Sequence, residues 1–244
     1  MLTNDQDAFG HVMYDYLHGI RSQEIIERDD GMFGISPGPA LYFAPFEEWP
    51  AIEQEAITYA RGRVLDVGCG AGRHSLYLQE RGLQVLGVDN SPLCLEVCRQ
   101  RGVRQVRELS VTQLTSRLGI FDTILMLGNN FCLVGDPRRA RWLLRRLARM
   151  TSTQGRILAG LRNPYGTEQP EHLEYHARNR SRGRFPGEAR IRVRYKKAVT
   201  PWIEFLMLSP DELSLLVGDT PWRVSIVLDE TGGNYVAVLE KSDI

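Results

Sequence analysis

Residues Val64 to Asp89, VLDVGCGAGRHSLYLQERGLQVLGVD, admit few folds. An apolar strand, Val64-Leu65-Asp66-Val67, runs straight into Gly68-Cys69-Gly70-Ala71-Gly72. A helical pattern follows, and a second strand, Gln84 to Val88, ends on Asp89. Glycines remove Cβ atoms where the chain turns sharply and let a ligand approach the backbone. The helix N-terminus behind them offers unpaired N–H groups. A carboxylate at the tip of the second strand is placed to accept both hydroxyls of a ribose. The unit therefore predicts a site for a nucleoside-bearing cofactor.

The glycine spacing narrows the choice. A dinucleotide fingerprint needs G-x-G-x-x-G or G-x-G-x-x-A. Counted from Gly68 its last position is Arg73, and from Gly70 it is Ser75, so neither frame fits. The glycines fall as G-x-G-x-G with Asp66 two residues before the first. This pattern resembles the first motif of the class I, Rossmann-like S-adenosylmethionine-dependent methyltransferases. A carboxylate at Asp66 suits the ammonium end of a methionyl group and would repel a pyrophosphate.

Strand and helix patterns alternate through the middle of the chain. Ser91-Pro92 caps a helix to Arg101, Gln105 to Glu108 is a short strand, and FDTILML (Phe121 to Leu127) is a buried one. Asp136-Pro137 opens a helix to Met150, whose arginines Arg138, Arg139, Arg145, Arg146 and Arg149 read as a solvated face. Gly155 to Leu161 is a fifth strand. Such alternation gives a parallel sheet covered on both faces. Ahead of it, Asp5 to Gly19 and Arg21 to Asp30 read as helices, Gly31 to Pro39 as a loop, and Glu47 to Ala60 as a helix entering the first core strand. Beyond Leu161 come a polar stretch with a helix near Glu171 to Ala177, then two strands, Glu188 to Ala198 and Trp202 to Leu208, suited to antiparallel pairing. Ser209-Pro210-Asp211-Glu212 is a capping box, and Trp222 to Leu228 and Tyr235 to Glu240 close the chain around Gly232-Gly233-Asn234.

The terminal strand pair resembles the end of the class I methyltransferase sheet. The expected fold is α/β: a doubly wound, mostly parallel seven-stranded sheet with an antiparallel C-terminal hairpin, an N-terminal helical lid and an inserted antiparallel arm. The corresponding division is a lid over residues 1–61, a core over 62–161 and 209–244, and a substrate-side arm over 162–208.

The resemblance implies S-adenosylmethionine as cofactor. It places Asp66, Gly68, Gly70, Gly72 and Asp89 on it, with Asn90 beside the adenine and Leu127 in the methionyl pocket. The acid that family members carry after the third strand is missing. Ser110 stands there instead, with Glu108 the nearest acid. Tyr42 either folds over the cofactor or packs the N-terminal segment. Asn129 and Asn130 either grip the methyl acceptor or serve as turn residues, and Phe131 is placed in the substrate wall. Asn163-Pro164-Tyr165 follows the fifth strand, the wrong place for an amino-methylating motif, and reads as an ordinary turn. No residue is assigned a catalytic role, because transfer from a sulfonium needs no obligatory acid or base.

Composition excludes other classes. No apolar run approaches membrane-spanning length, and MLTNDQDAFG lacks the features of a signal peptide. Cys94 and Cys98 sit one turn apart without a second zinc-spaced pair, so they read as buried thiols and no metal is expected. A cytoplasmic setting is the default. The zero net charge hides an asymmetry. Eleven acids precede residue 61 against Arg21 and Arg28, whereas His176 to Lys197 holds seven Arg and two Lys against Glu188. The two regions are expected to meet above the cofactor. Arg190, Arg192 and Arg194 share one strand face, which would meet acids such as Asp29, Asp30, Glu47 or Glu48, or an anionic substrate. The leading expectation is methyl transfer to an O, N or C atom of a small molecule. The alternative is an RNA or DNA methyltransferase using the basic arm, against which stand the neutral charge and the lack of a nucleic-acid module.

Overall fold

The computed structural model describes residues 2–229 and 233–242. Helix α1 (Ala8–Leu17) starts at Asp7, whose carboxylate accepts the Gly10 N–H, and its apolar side, Ala8, Val12 and Met13, is fully buried. Strands β1 (Ile25–Arg28) and β2 (Phe33–Ile35), the single-turn helix α2 (Ala40–Phe43) and helix α3 (Ala51–Ile57) follow. Three expectations change here. Gly31 to Pro39 is not all loop: with β-prone Phe33 and Ile35, its residues Phe33–Ile35 pair with β1 as strand β2. Arg21 to Asp30 does not continue as a helix: its β-branched pair Ile25-Ile26 lies in β1. The helix expected over Glu47 to Ala60 is broken by Pro50, whose ring cannot sit inside a helix, leaving a 3-10 turn at Phe46–Glu48 before α3.

The core alternates as its pattern dictates: β3 (Arg63–Val67), α4 (Arg73–Glu80), β4 (Gln84–Asp89), α5 (Pro92–Arg101), β5 (Val106–Glu108), β6 (Phe121–Met126), α6 (Pro137–Ala148) and β7 (Thr151–Arg162). The arm holds α7 (Pro170–Ser181), β8 (Glu188–Tyr195), β9 (Ala198–Val199) and β10 (Ile203–Leu206). Helix α8 (Pro210–Val217) and strands β11 (Trp222–Asp229) and β12 (Asn234–Lys241) complete the fold. Gly232, named in the expected turn Gly232-Gly233-Asn234, lies outside the described residues.

The main sheet has the order β11-β12-β7-β6-β3-β4-β5. Its members from β5 to β7 run parallel, and β12 pairs antiparallel with both β7 and β11. Leu65, Ile124 and Ile157 are fully buried, as continuous apolar strands between helical layers require. The strand order reverses beside β3, so the crevice at the carboxyl ends of β3, β4 and β6 is where an open α/β sheet takes its ligand. A second, five-stranded antiparallel sheet joins the two additions: β1 pairs with β2 and with β8, and β8 also pairs with β9 and β10. Among the described residues, no helix is long and apolar enough to cross a membrane.

Candidate active site

A cavity of about 460 Å³ occupies that crevice. Its floor is the glycine turn. Gly68, Gly70 and Gly72 have φ of +72°, +53° and +79°, which side-chain-bearing residues rarely adopt. A Cβ on Gly68 would stand 2.7 Å from Asn130 Nδ2. That amide donates to the carbonyls of Val67 (3.1 Å) and Gly68 (2.8 Å), tying the loop after β6 to the turn after β3. Over Gly70 and Gly128, by contrast, a Cβ would find open space: a single contact at 3.9 Å for the first, none within 4 Å for the second. Bare backbone faces the cavity at both.

Asn129 has φ +66° and caps the short 3-10 turn Asn130–Val134, so it is a turn residue, and it lines a smaller neighbouring pocket. Asn130 lines the main cavity, although its amide nitrogen already serves the glycine turn. Phe131 does not form a substrate wall. The 3-10 turn rotates it inward, and it is fully buried in the main core.

Asp89 lines the cavity at the tip of β4. Its oxygens accept the N–H groups of Gly70 (3.0 Å) and Ser91 (2.9 Å), each keeping acceptor capacity for a further donor. Burial outweighs these bonds and pushes its carboxyl up to about 6. Asn90, Ser110 and Leu127 also line the cavity, and Leu109 and Val111 complete an apolar slot beside Asp89. Asp66 lies under the floor, 2% exposed, accepting the Ser75 hydroxyl at 2.7 Å. It does not reach the cavity wall; burial raises its carboxyl above the ordinary value. Glu108 Oε1 is buried without a hydrogen-bond partner.

The N-terminal segment forms the roof. Tyr42 and Phe9 line the cavity and meet edge to face, ring centroids 5.3 Å apart. Burial pushes the Tyr42 phenol up to about 12, so it stays neutral. Arginines from the core hold the α2 backbone: Arg73 donates to the Leu41 carbonyl (3.0 Å), and Arg101 to those of Tyr42 (3.2 Å) and Ala71 (2.6 Å). The Arg73 guanidinium also pairs with Glu53, whose carboxylate meets His74 Nε2 at 3.0 Å. Arg73 and His74 both line the cavity. Sequence reading left Phe9, Arg73 and Glu53 out of the site. The signal available for Arg73 was its position, directly after the glycines.

The far wall belongs to the arm and α6: Ile191, Thr200, Trp202, Glu204 and Arg139. Arg139 therefore departs from the expected solvated face of α6. The acidic and basic regions do meet: Asp30, one of the acids named, pairs with Arg178 at 3.8 Å, while the face of Arg192 and Arg194 meets an acid not named. Glu27 on β1 pairs with Arg192 (2.7 Å) and Arg194, whose hydrogen bonds hold its carboxyl down to about 2. Arg190 pairs with Glu204 at 3.2 Å, and Lys196 and Tyr195 with Asp15 at 2.6 and 2.7 Å. Reversing Arg192 and Arg194 to Glu is expected to speed protease cleavage between residues 20 and 48. Wild-type cleavage kinetics in limited proteolysis would show that these pairs do not hold β1 on the arm.

Comparison with known proteins bears on this geometry. A family model described as "Methyltransferase domain" matches residues 64–155. The crystal structure of a S-adenosylmethionine-dependent methyltransferase from Bacteroides fragilis, in complex with S-adenosylhomocysteine, superposes with a TM-score of 0.84 at 26% identity, over 99% of this chain and 98% of that one. Residues 64–155 thus match a methyltransferase domain, and the chain as a whole shares the class I, Rossmann-like methyltransferase fold. Curated relatives match over shorter stretches: the putative methyltransferase YqeM of Bacillus subtilis at 34% identity over 58 residues, and rabbit glycine N-methyltransferase at 32% over 120 residues. These alignments cover 24% and 41% of this chain, and 23% and 41% of the relatives' own length. S-Adenosylmethionine is the family's cofactor, and the residues present fit it. Bare glycine backbone, the wall acid Asp89 with free acceptor capacity and the apolar slot beside it are what a nucleoside with a methionyl tail requires.

Proposed function

We propose that this methyltransferase transfers a methyl group from S-adenosylmethionine to an O, N or C atom of a small molecule. The observation that carries the reading is one cavity, continuous from the glycine turn to the arm and walled by the chain's own segments. When bound, S-adenosylmethionine supplies a methyl already activated by a positively charged sulfur. The protein's part is to hold an acceptor in line and to keep water out. Asp89, Asn90, Ser110 and Tyr42 would hold the nucleoside; Gly68, Leu127 and the core above Asp66 would hold the methionyl end. Tyr42, Phe9 and the arm exclude water. Glycine N-methyltransferase, matched over part of its length, is by its name an enzyme with a small acceptor. A cytoplasmic setting goes with this reading.

A nucleic-acid substrate is the second reading, and the arm's own ion pairs weigh against it. Arg178, Arg184, Arg190, Arg192 and Arg194 all have carboxylate partners. Cations committed this way release few counterions on meeting phosphates. Incubation of metabolite and RNA pools with methyl-labelled cofactor, followed by product mass, is expected to give a small labelled product. Binding of RNA is expected to be weak. A reader engaging six or more phosphates would lose affinity about a thousandfold or more between 50 and 200 mM salt. Tight RNA binding with that salt dependence would replace the small-molecule reading.

A further inference from the structure

We infer that the acceptor carries a carboxylate and that Arg139 receives it; this rests on the small-molecule reading above. Arg139 lines the far wall of the cavity. Among the described residues no carboxylate pairs with its guanidinium, whereas the arm arginines Arg178, Arg184, Arg190, Arg192 and Arg194 are all paired. Its position is also electrostatically unfavourable in the free protein. It is the third residue of α6, in the first turn, where the helix dipole disfavours a cation. A half-buried cation held at the wrong end of a helix and left without a counterion is compensated when an anion enters the cavity.

The path for the side chain is kept clear by Gly135. With φ +91° and no Cβ, it leaves room where a side chain would stand 3.2 Å from both Arg139 Nη1 and Glu204 Cβ. Thr200 adds a second donor. Its oxygen accepts the Val193 N–H at 2.9 Å, which leaves the O–H free to donate, and the residue lines the same cavity. Ile191, Trp202 and Leu133 supply apolar wall around these groups. A guanidinium fork matches a planar carboxylate. A phosphate dianion fits less well, because Glu204 shares that wall and Asp7 and Asp89 line the same cavity. The ligand class is therefore a monocarboxylate with an apolar or aromatic body.

Calorimetric titration of the S-adenosylhomocysteine-saturated protein with benzoate, benzyl alcohol, benzylamine and phenyl phosphate tests this. Benzoate is expected to saturate in the millimolar range and to bind at least about tenfold more tightly than the other three. Arg139→Gln should weaken benzoate about tenfold or more and leave S-adenosylhomocysteine affinity unchanged, which also shows that the variant is folded. Arg139→Lys, keeping the charge without the fork, should fall between. Absent benzoate binding, equal affinity in Arg139→Gln, or preference for benzylamine or phenyl phosphate would overturn the assignment. Failure of the wild-type protein to bind S-adenosylhomocysteine would instead remove the cofactor reading beneath it.

Discussion

Replacing Asp89 with Asn is expected to weaken S-adenosylhomocysteine binding roughly 10- to 150-fold, about 1.5–3 kcal/mol, as charge-assisted bonds to the ribose are lost. The same residue predicts a pH dependence. Burial raises its carboxyl to about 6 from the ordinary 3.8. The ionised form accepts from the ribose hydroxyls; the protonated form has lost the charge and uses one oxygen as a donor. Cofactor affinity should therefore fall as pH drops through 6, by about tenfold between pH 7 and pH 5. Stability of the ligand-free protein moves the other way. A carboxyl whose folded value is raised contributes stability below its unfolded value and loses it as pH rises through the folded one. Near pH 7 the ligand-free protein thus holds a costly buried carboxylate, which the ribose would compensate. Titrations at pH 5, 6 and 7 on wild type and Asp89→Asn decide the matter. The wild type should show the step and the variant should not. Matching affinities at pH 7 would take Asp89 out of the site.

Local chemistry made the floor of this site legible. Gly68, Gly70 and Gly72 need left-handed φ, Asp89 must sit at a strand tip, and both follow from contiguous sequence. The far wall was not legible for the opposite reason. Glu27 and Arg192 are 165 residues apart, and their meeting depends on β1 pairing with β8, which no local pattern encodes. Charge asymmetry foretold that acids would meet the basic arm. It could not select Glu27 over Asp29, because the two are spaced to share a face and only the β1–β8 register, which sets Glu27 opposite Arg192, decides between them. Arg139 shows a further limit. Helical periodicity assigned it to solvent, but it lines the cavity, with the side-chain-free Gly135 against its guanidinium. Phe131 shows the reverse: an aromatic next to the site in sequence was carried into the core by a 3-10 turn that its neighbours do not announce.

Removing the Glu53 side chain is expected to have the largest effect on stability. Glu53 is the buried counterion of Arg73, with side chains 9% and 5% exposed, and it also meets His74. Burial pushes its carboxyl up, yet His74 and Arg73 outweigh that and hold it below the ordinary 4.5. Its stabilisation is therefore present above 4.5 and lost as pH falls through the lower folded value. In Glu53→Ala the guanidinium keeps the Leu41 carbonyl and lies over the Trp49 ring at 5.0 Å, but its charge is uncompensated. Breaking a buried pair from one side costs about 3–5 kcal/mol. For a chain of this length that corresponds to a fall in melting temperature of about 6–20 °C. Glu53→Gln, which keeps an acceptor without the charge, should lose less. Changing both partners together, Glu53→Leu with Arg73→Leu, should recover part of the loss, since no charge is left buried alone. Thermal unfolding of the four proteins measures this directly. If Glu53→Ala melts within a degree or two of wild type, water or another group compensates Arg73, and the buried pair does not anchor α3 to the helix behind the glycine turn.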